Sequence, residues 1–147
     1  MTTDSRGDAN EKPEATEPQH LSDEELALLN AAFDYARTGA TQPLAALVGA
    51  GLPVNLTNGK GDTLLILAAY YGNSETVSAL LSAGADPDRE NDRGQTALSA
   101  ATFRRDEALV QMLLEAGADP HAGTVSAVTV AKQFDLPRFA ELFDQEG

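Results

Sequence analysis

The sequence contains no cysteine and no tryptophan, and aromatic residues make up only 5% of it. The lack of cysteine excludes a disulfide framework and a thiolate zinc site. The hydrophobic content of 42% is still enough for a folded core, and 147 residues predict one domain. Because large rings are scarce, the core has to be built from Ala, Leu and Val. Such a core favours thin, closely stacked helices over a bulky sandwich.

Long apolar runs and basic charge are also scarce. The longest apolar stretch, Leu64 to Tyr71, spans eight residues, whereas a membrane helix needs roughly 20. The N-terminus has no basic start followed by an apolar run, so we expect no secretory signal and a cytoplasmic location without membrane contact. The net charge of −13 disfavours nucleic-acid binding, which requires a basic surface.

The N-terminal segment, residues 1–21, has almost no large apolar residue and is predicted to be a disordered acidic tail. Ser22 and Glu25 then form a predicted capping box at the start of a helix, and Gly39 is expected to end that helix. The apolar residues of this helix recur at helical spacing, at Leu26, Leu29, Ala32 and Phe33.

An internal repeat dominates the rest of the chain. Residues 58–90 and 91–123 are each 33 residues long, align without a gap and share 13 identities. The identical positions include Gly61 with Gly94, Thr63 with Thr96, Leu65 with Leu98, Ala68 with Ala101, Val77 with Val110, and the block 83–87 with 116–120.

Each repeat predicts a turn, a short helix, a second turn, a longer helix and a loop. Thr63 and Thr96 are placed to cap the short helix. The buried face of the longer helix recurs at helical spacing, as at Val77 and Leu80. Gly84 and Gly117 are expected to end that helix with a positive φ.

These residues carry a resemblance to the ankyrin repeat. The motif is Gly61-Asp62-Thr63-Leu64-Leu65-Ile66-Leu67-Ala68-Ala69, then Gly72, Val77, Leu80-Leu81 and Gly84-Ala85-Asp86-Pro87. Leu64 and Ala97 stand where the family frequently has Pro, and Ile66 and Ser99 where it frequently has His. The resemblance implies an all-α solenoid, and these departures affect only local turn detail.

Weaker repeats flank the two clear ones. The upstream unit follows the same spacing through Gly39, Leu44 and Pro53, and the downstream unit matches at residues 126–131. Pro137 suits the first turn of a last helix that carries Phe139 and Phe143. We therefore expect a domain from residue 22 to residue 147 with units 22–57, 58–90, 91–123 and 124–147, whose atypical ends act as caps.

The sequence motifs that would indicate metal binding or catalysis are incomplete or absent. The acidic residues from Asp86 to Asp92 suggest a calcium loop, but Asn91 and Ala97 occupy the positions of its required Gly and Glu. The sequence has no Gly-x-Ser-x-Gly motif that would supply a nucleophile for His20 or His121, and it has no phosphate-binding loop. We expect no catalytic residue, no metal ligand and no cofactor.

The resemblance also implies where a partner binds, because ankyrin partners commonly dock on a concave side formed by hairpin tips and the first helices. The corresponding positions here are Arg37, Lys60, Asp62, Tyr70, Tyr71, Asp92, Arg93, Gln95, Phe103, Arg104 and Phe134, with Gln133 beside the last of them. Tyr and Arg are frequent in binding hot spots. Tyr70, Phe103 and Phe134 have a second interpretation, as rings that pack between repeats.

The predicted function is therefore a monomeric protein-interaction scaffold, not an enzyme, whose partner is another protein. The resemblance extends to small bacterial ankyrin proteins, some of which accompany oxidative-stress enzymes, so an accessory role in a stress response is part of the hypothesis. The alternative is a small-molecule or metal-sensing protein, or an enzyme, that uses the acidic loops between repeats. A saturable effect of calcium or magnesium on melting would distinguish the two.

Overall fold

The computed structural model describes the backbone of residues 21–146 and the side chains of residues 21–144. Residues 1–20, with most of the predicted tail and His20, lie outside the described residues. The chain divides after Ala31 into two compact units.

Eight helices occupy residues 21–146, and within this range only isolated β-bridges accompany them. They are α1 (Asp23–Thr38), α2 (Thr41–Gly49), α3 (Leu64–Tyr70), α4 (Ser74–Ser82), α5 (Ala97–Arg104), α6 (Glu107–Glu115), α7 (Ala127–Gln133) and α8 (Pro137–Glu146). No helix in the described part of the chain is long and apolar enough to cross a membrane. The predicted all-α repeat architecture is confirmed.

The first helix begins at the predicted capping box. The Glu25 backbone N–H donates to Ser22 Oγ at 3.1 Å, and the Ser22 N–H donates to the Glu25 carboxylate at 2.9 Å. Each bond satisfies a donor that the first turn of a helix leaves without a partner. Gly39 follows the helix with φ +79°, as predicted for a left-handed residue at its end.

The short helices of the repeats begin at hydroxyl caps. Thr63 Oγ1 accepts from the Ile66 N–H at 3.0 Å, and Ser126 Oγ accepts from the Thr129 N–H at 3.1 Å. Thr96 forms a full capping box with Ser99, which stands where the family frequently has His. Ser99, in place of the frequent His, therefore keeps α5 capped at its start.

The helices from α3 onwards form two rows. The short helices α3, α5 and α7 pack side by side, and α4, α6 and α8 each pack against the short helix of their own repeat. We call these the inner and the outer helices. Ala68 and Ala101 are fully buried on the inner helices, next to buried Leu65 and Leu98. Small residues at these positions let the helices approach closely.

One apolar core runs through the repeats from Ala32 onwards. It consists mainly of Ala, Leu and Val, as the composition predicts, and it closes at the C-terminal end with Phe139 and Phe143 of α8. Truncation of one buried Leu in such a core costs about 2–5 kcal/mol.

Polar side chains connect successive repeats outside the core. The Asn73 side-chain amide donates to the Ala36 and Arg37 carbonyls, each at 2.9 Å, and so satisfies the C-terminal carbonyls of α1. In the loops, Asn55 Oδ1 accepts from the Asp86 N–H and Asp88 Oδ1 accepts from the Asp119 N–H, both at 2.8 Å. The loop carboxylate of Asp88 thus holds one repeat against the next.

Candidate functional site

Two hairpin tips project from the repeats, and each is shaped by one asparagine. Asn58 Oδ1 accepts from the N–H groups of Lys60 at 2.9 Å and Asp62 at 3.0 Å. Asn91 Oδ1 accepts in the same way from Arg93 at 2.9 Å and Gln95 at 3.0 Å. Such side-chain bonds to the backbone two residues ahead fix a tight turn. They place Lys60 and Arg93 at equivalent exposed positions on neighbouring tips.

The two tips are joined to each other. The Asp92 N–H donates to the Lys60 carbonyl at 3.0 Å, and the Asn91 side-chain amide donates to Asp62 Oδ1 at 2.8 Å. Asp62 is only 7% exposed. The amide of the next repeat therefore covers much of the carboxylate of Asp62, one of the residues at which the resemblance implies binding, and its contact with a partner stays a prediction. Asp92 is exposed on its tip, as expected.

The hairpin pattern stops after the second tip. The loop that precedes α7 is shortened, and the Val125 N–H donates directly to the Gly94 carbonyl at 2.8 Å. Gly123 lies so close to this junction that an added Cβ would stand 2.6 Å from the Gly94 oxygen. The fourth unit therefore closes the series of tips without adding a cation to it.

A groove lies between the tips and the inner side of the repeats. Its volume is about 580 Å³. Seven of the predicted binding residues line it, namely Arg37, Lys60, Asp62, Tyr70, Tyr71, Arg93 and Gln95, together with Asn58, Gly59, Ile66 and Leu67. We refer to this feature as the groove. It occupies the position at which the resemblance implies a concave binding side.

Tyr70 and Tyr71 form the aromatic part of the groove. They lie at the C-terminal end of α3 and are 42% and 47% exposed. Their rings meet edge to face, with centroids 5.2 Å apart. Two large rings that stay this exposed provide apolar contact area that the fold of residues 32–144 does not bury.

A second aromatic pair lies outside the groove. Phe103 and Phe134 meet edge to face at 5.6 Å between centroids, and Arg105 stands 5.5 Å above the Phe134 ring. The rings contact each other across the repeat boundary, yet they remain 47% and 41% exposed. Packing between repeats is therefore observed, and a role of the exposed ring surface in binding stays a prediction. We refer to these three residues as the phenylalanine patch.

Arg104 is exposed, but it is bound to the neighbouring repeat. Its Nη1 donates to the Tyr70 carbonyl at 3.0 Å, at the end of α3. Its guanidinium lies against Gly72, where an added Cβ would stand 2.8 Å from Nη2. A cation at this place satisfies a terminal carbonyl and complements the helix dipole. Arg104 therefore stabilises the stack as well as lining the surface.

Two left-handed residues follow the inner helices where the preceding repeat has Gly72. Arg105 has φ +60° and Asp135 has φ +53°. Arg105 aligns with Gly72 in the repeat register, which predicts a left-handed backbone there. Asp135 was missed, although it aligns with the same glycine once the shortened loop is taken into account. Asn58 and Asn91 were also missed as turn-forming residues. Their identity at the first position of both repeats was the signal.

The acidic loops do not assemble into a metal site. Asp86 accepts from the Asp88 N–H and Asp119 accepts from the His121 N–H, both at 2.9 Å, so these carboxylates bind the backbone. Within the described residues, no group of three or more His, Cys, Asp or Glu side chains could hold a metal ion. The metal-sensing alternative therefore has no geometric support in residues 21–144.

Comparison with known proteins agrees with this geometry. A family model described as ankyrin repeats, in three copies, matches residues 28–124. An ankyrin-repeat protein of Pseudomonas aeruginosa is 54% identical over 44 residues, which is 30% of this chain and 26% of that protein. The match with this relative thus covers about a quarter of the relative's length. The family model spans more than half of the sequence, and the chain belongs to the ankyrin-repeat family.

Proposed function

We propose that this chain is a protein-interaction module that binds its partner in the groove. Ankyrin repeats generally mediate protein–protein interaction. The observation that carries the proposal is the convergence of Tyr70 and Tyr71, nearly half exposed, with three cationic side chains in one concavity. Exposed aromatic residues beside Arg are the composition that binding hot spots favour.

The exposed side chain of Tyr71 also supports binding in the groove. A Tyr side chain offers a large contact surface with few rotatable bonds, so little conformational entropy is lost when a partner covers it. Exposed apolar surface rimmed by polar residues is a feature of protein-interaction sites. The partner is another protein, and an accessory role in a stress response rests on the resemblance alone.

The test uses a partner recovered with the tagged protein from its own host. Tyr71→Ala should weaken binding of that partner by more than about 2 kcal/mol, because a hot-spot ring is lost. Melting should stay nearly unchanged, since the ring is exposed. Arg104 is not substituted in this experiment. Loss of its bond to the Tyr70 carbonyl would change the stability of the stack as well as the binding surface.

Matched controls lie on the outer helices. Ser78 of α4 and Gln111 of α6 are exposed on the opposite row. Ala substitutions there should leave the affinity unchanged within about 0.5 kcal/mol. If these variants lose the partner while Tyr71→Ala keeps it, the partner binds the outer helices and the proposal is wrong.

A further inference from the structure

Charge is unevenly distributed between the two rows of helices. The inner helices α3, α5 and α7 contain no Asp or Glu and carry the cations Arg104 and Lys132. The outer helices α4, α6 and α8 contain six Asp or Glu residues and one cation, Arg138. In a chain with a net charge of −13, this separation makes the groove side the place that attracts anions.

The groove itself adds three cations. Lys60 and Arg93 stand at the hairpin tips, and neither forms an ion pair with a carboxylate among the described residues. Arg37 contacts Asp34 at 3.1 Å in an exposed geometry, which contributes little and can be exchanged. The acidic residue of the lining, Asp62, is buried under the Asn91 amide. The accessible charged side chains of the lining are therefore cations, and the exposed Asp92 stands on the tip outside the lining.

The backbone of the tips cannot capture a strand from a partner at these positions. The Lys60 carbonyl already accepts from Asp92, and the N–H groups of Lys60 and Arg93 already bind Asn58 and Asn91. At these three backbone groups, recognition is therefore left to the side chains of the tips. Side chains of Lys and Arg select carboxylates, and the exposed surfaces of the Tyr70 and Tyr71 rings select an apolar group.

We propose that the groove recognises an acidic segment of the partner protein in which a large apolar side chain is flanked by carboxylates. The apolar side chain packs on Tyr70 and Tyr71, and the carboxylates meet Lys60, Arg93 and Arg37. This inference rests on the proposed function and specifies the chemistry of the partner at the same site. Basic clusters that read acidic motifs are a recurrent mode of peptide recognition.

The experiment pans a random peptide library displayed on phage against the full chain. The enriched peptides should carry Asp or Glu on both sides of an aromatic or large aliphatic residue. A synthetic peptide of that consensus should bind, and Lys60→Glu or Arg93→Glu should each weaken it by roughly fivefold or more at low salt, with the loss shrinking as salt rises. Arg89→Glu is the matched control, since Arg89 is exposed, undergoes the same charge change and does not line the groove.

The outcomes separate this inference from the proposed function. Enriched peptides that are neutral or basic, yet lose binding with Tyr71→Ala, would overturn the acidic specificity and leave the groove as the binding site. If Arg89→Glu weakens the binding of acidic peptides as much as Lys60→Glu and Arg93→Glu do, the attraction is to charge in general, and the acidic specificity of the groove is also overturned. Failure to enrich any peptide, or tighter binding of a single-stranded oligonucleotide at physiological salt, counts against it as well. Peptides that bind Tyr71→Ala as tightly as the original chain would contradict both proposals.

Discussion

At the scale of single residues, Arg105 adopts a left-handed backbone that normally favours glycine, and a contact with Phe134 offsets the cost. Its backbone is left-handed at φ +60°, a conformation that costs a non-glycine residue roughly 1 kcal/mol. Its guanidinium stands over the Phe134 ring at 5.5 Å. An exposed cation–π contact contributes about 0.5–1 kcal/mol, so the two effects nearly cancel.

Two substitutions at this position separate the effects. Arg105→Gly loses the contact with Phe134 but relieves the backbone, so the free energy of unfolding should stay unchanged or rise slightly. Arg105→Ala loses the contact and keeps the strain. Chemical denaturation should therefore find the Gly variant more stable than the Ala variant by about 1 kcal/mol. Equal stability of the two variants would mean that the backbone strain at Arg105 is negligible.

Glu107 and Arg138 form a second residue pair with a measurable signature. Arg138 donates to both carboxylate oxygens, at 2.9 and 2.6 Å. These hydrogen bonds, and the charge of Arg138, hold the pKa of Glu107 below its ordinary value of 4.5. A carboxyl whose pKa is lowered by folding stabilises the folded state above its unfolded pKa, and this contribution disappears as the pH falls through the folded value.

The expected result is a pH-dependent stability difference. Arg138→Met should be less stable than the original chain at neutral pH, and the two should converge in acid once Glu107 is protonated. Arg89→Met serves as the control, because Arg89 forms no ion pair among the described residues. Denaturant titrations between pH 7 and about pH 3 measure the difference. A difference that stays constant over this range would show that Arg138 acts through packing alone.

At the scale of elements, the asparagine of the second hairpin holds two repeats together. Asn91 is 5% exposed, and its side chain bonds Arg93, Gln95 and the buried Asp62. Asn58 shapes the first hairpin in the same way but is less buried, and its contact with Asp62 is longer, at 3.5 Å.

Asn91→Ala should therefore cost more than Asn58→Ala. Removal of the Asn91 amide leaves the Asp62 carboxylate buried without its closest donor, a loss of about 2–3 kcal/mol. Asn58→Ala should cost about 1 kcal/mol, in line with an ordinary hydrogen-bonded turn. Thermal or chemical unfolding compares the two. If the costs are equal, the burial of Asp62 has no energetic consequence.

The helices and their ends could be predicted from the sequence because their signals are local. Thr63 and Thr96 cap helices through bonds to residues three positions ahead, and Gly39 and Gly84 adopt a positive φ at helix ends. The burial of Asp62 and the bond of Arg104 to Tyr70 depend on side-chain positions in a neighbouring repeat. Their sequence separations of 29 and 34 residues place them beyond any local pattern.

At the scale of the whole molecule, the repeats bring together residues that are far apart in the sequence. Arg37, Lys60, Tyr71 and Arg93 belong to three successive units and line one groove. The repeat register predicted this convergence, since equivalent positions of stacked units lie next to one another. It did not separate the groove from the phenylalanine patch, because that division depends on how the rings of Phe103 and Phe134 turn towards each other.

The central claim is that a partner covers the groove and leaves the outer helices free. Hydrogen exchange of the backbone amides, measured with and without the recovered partner, tests it most directly. The complex should slow exchange around Lys60, Tyr70–Tyr71 and Arg93, while exchange in α4 and α6 stays as in the free protein. Slower exchange confined to α4 and α6, with none at the hairpin tips or at the end of α3, would contradict the account.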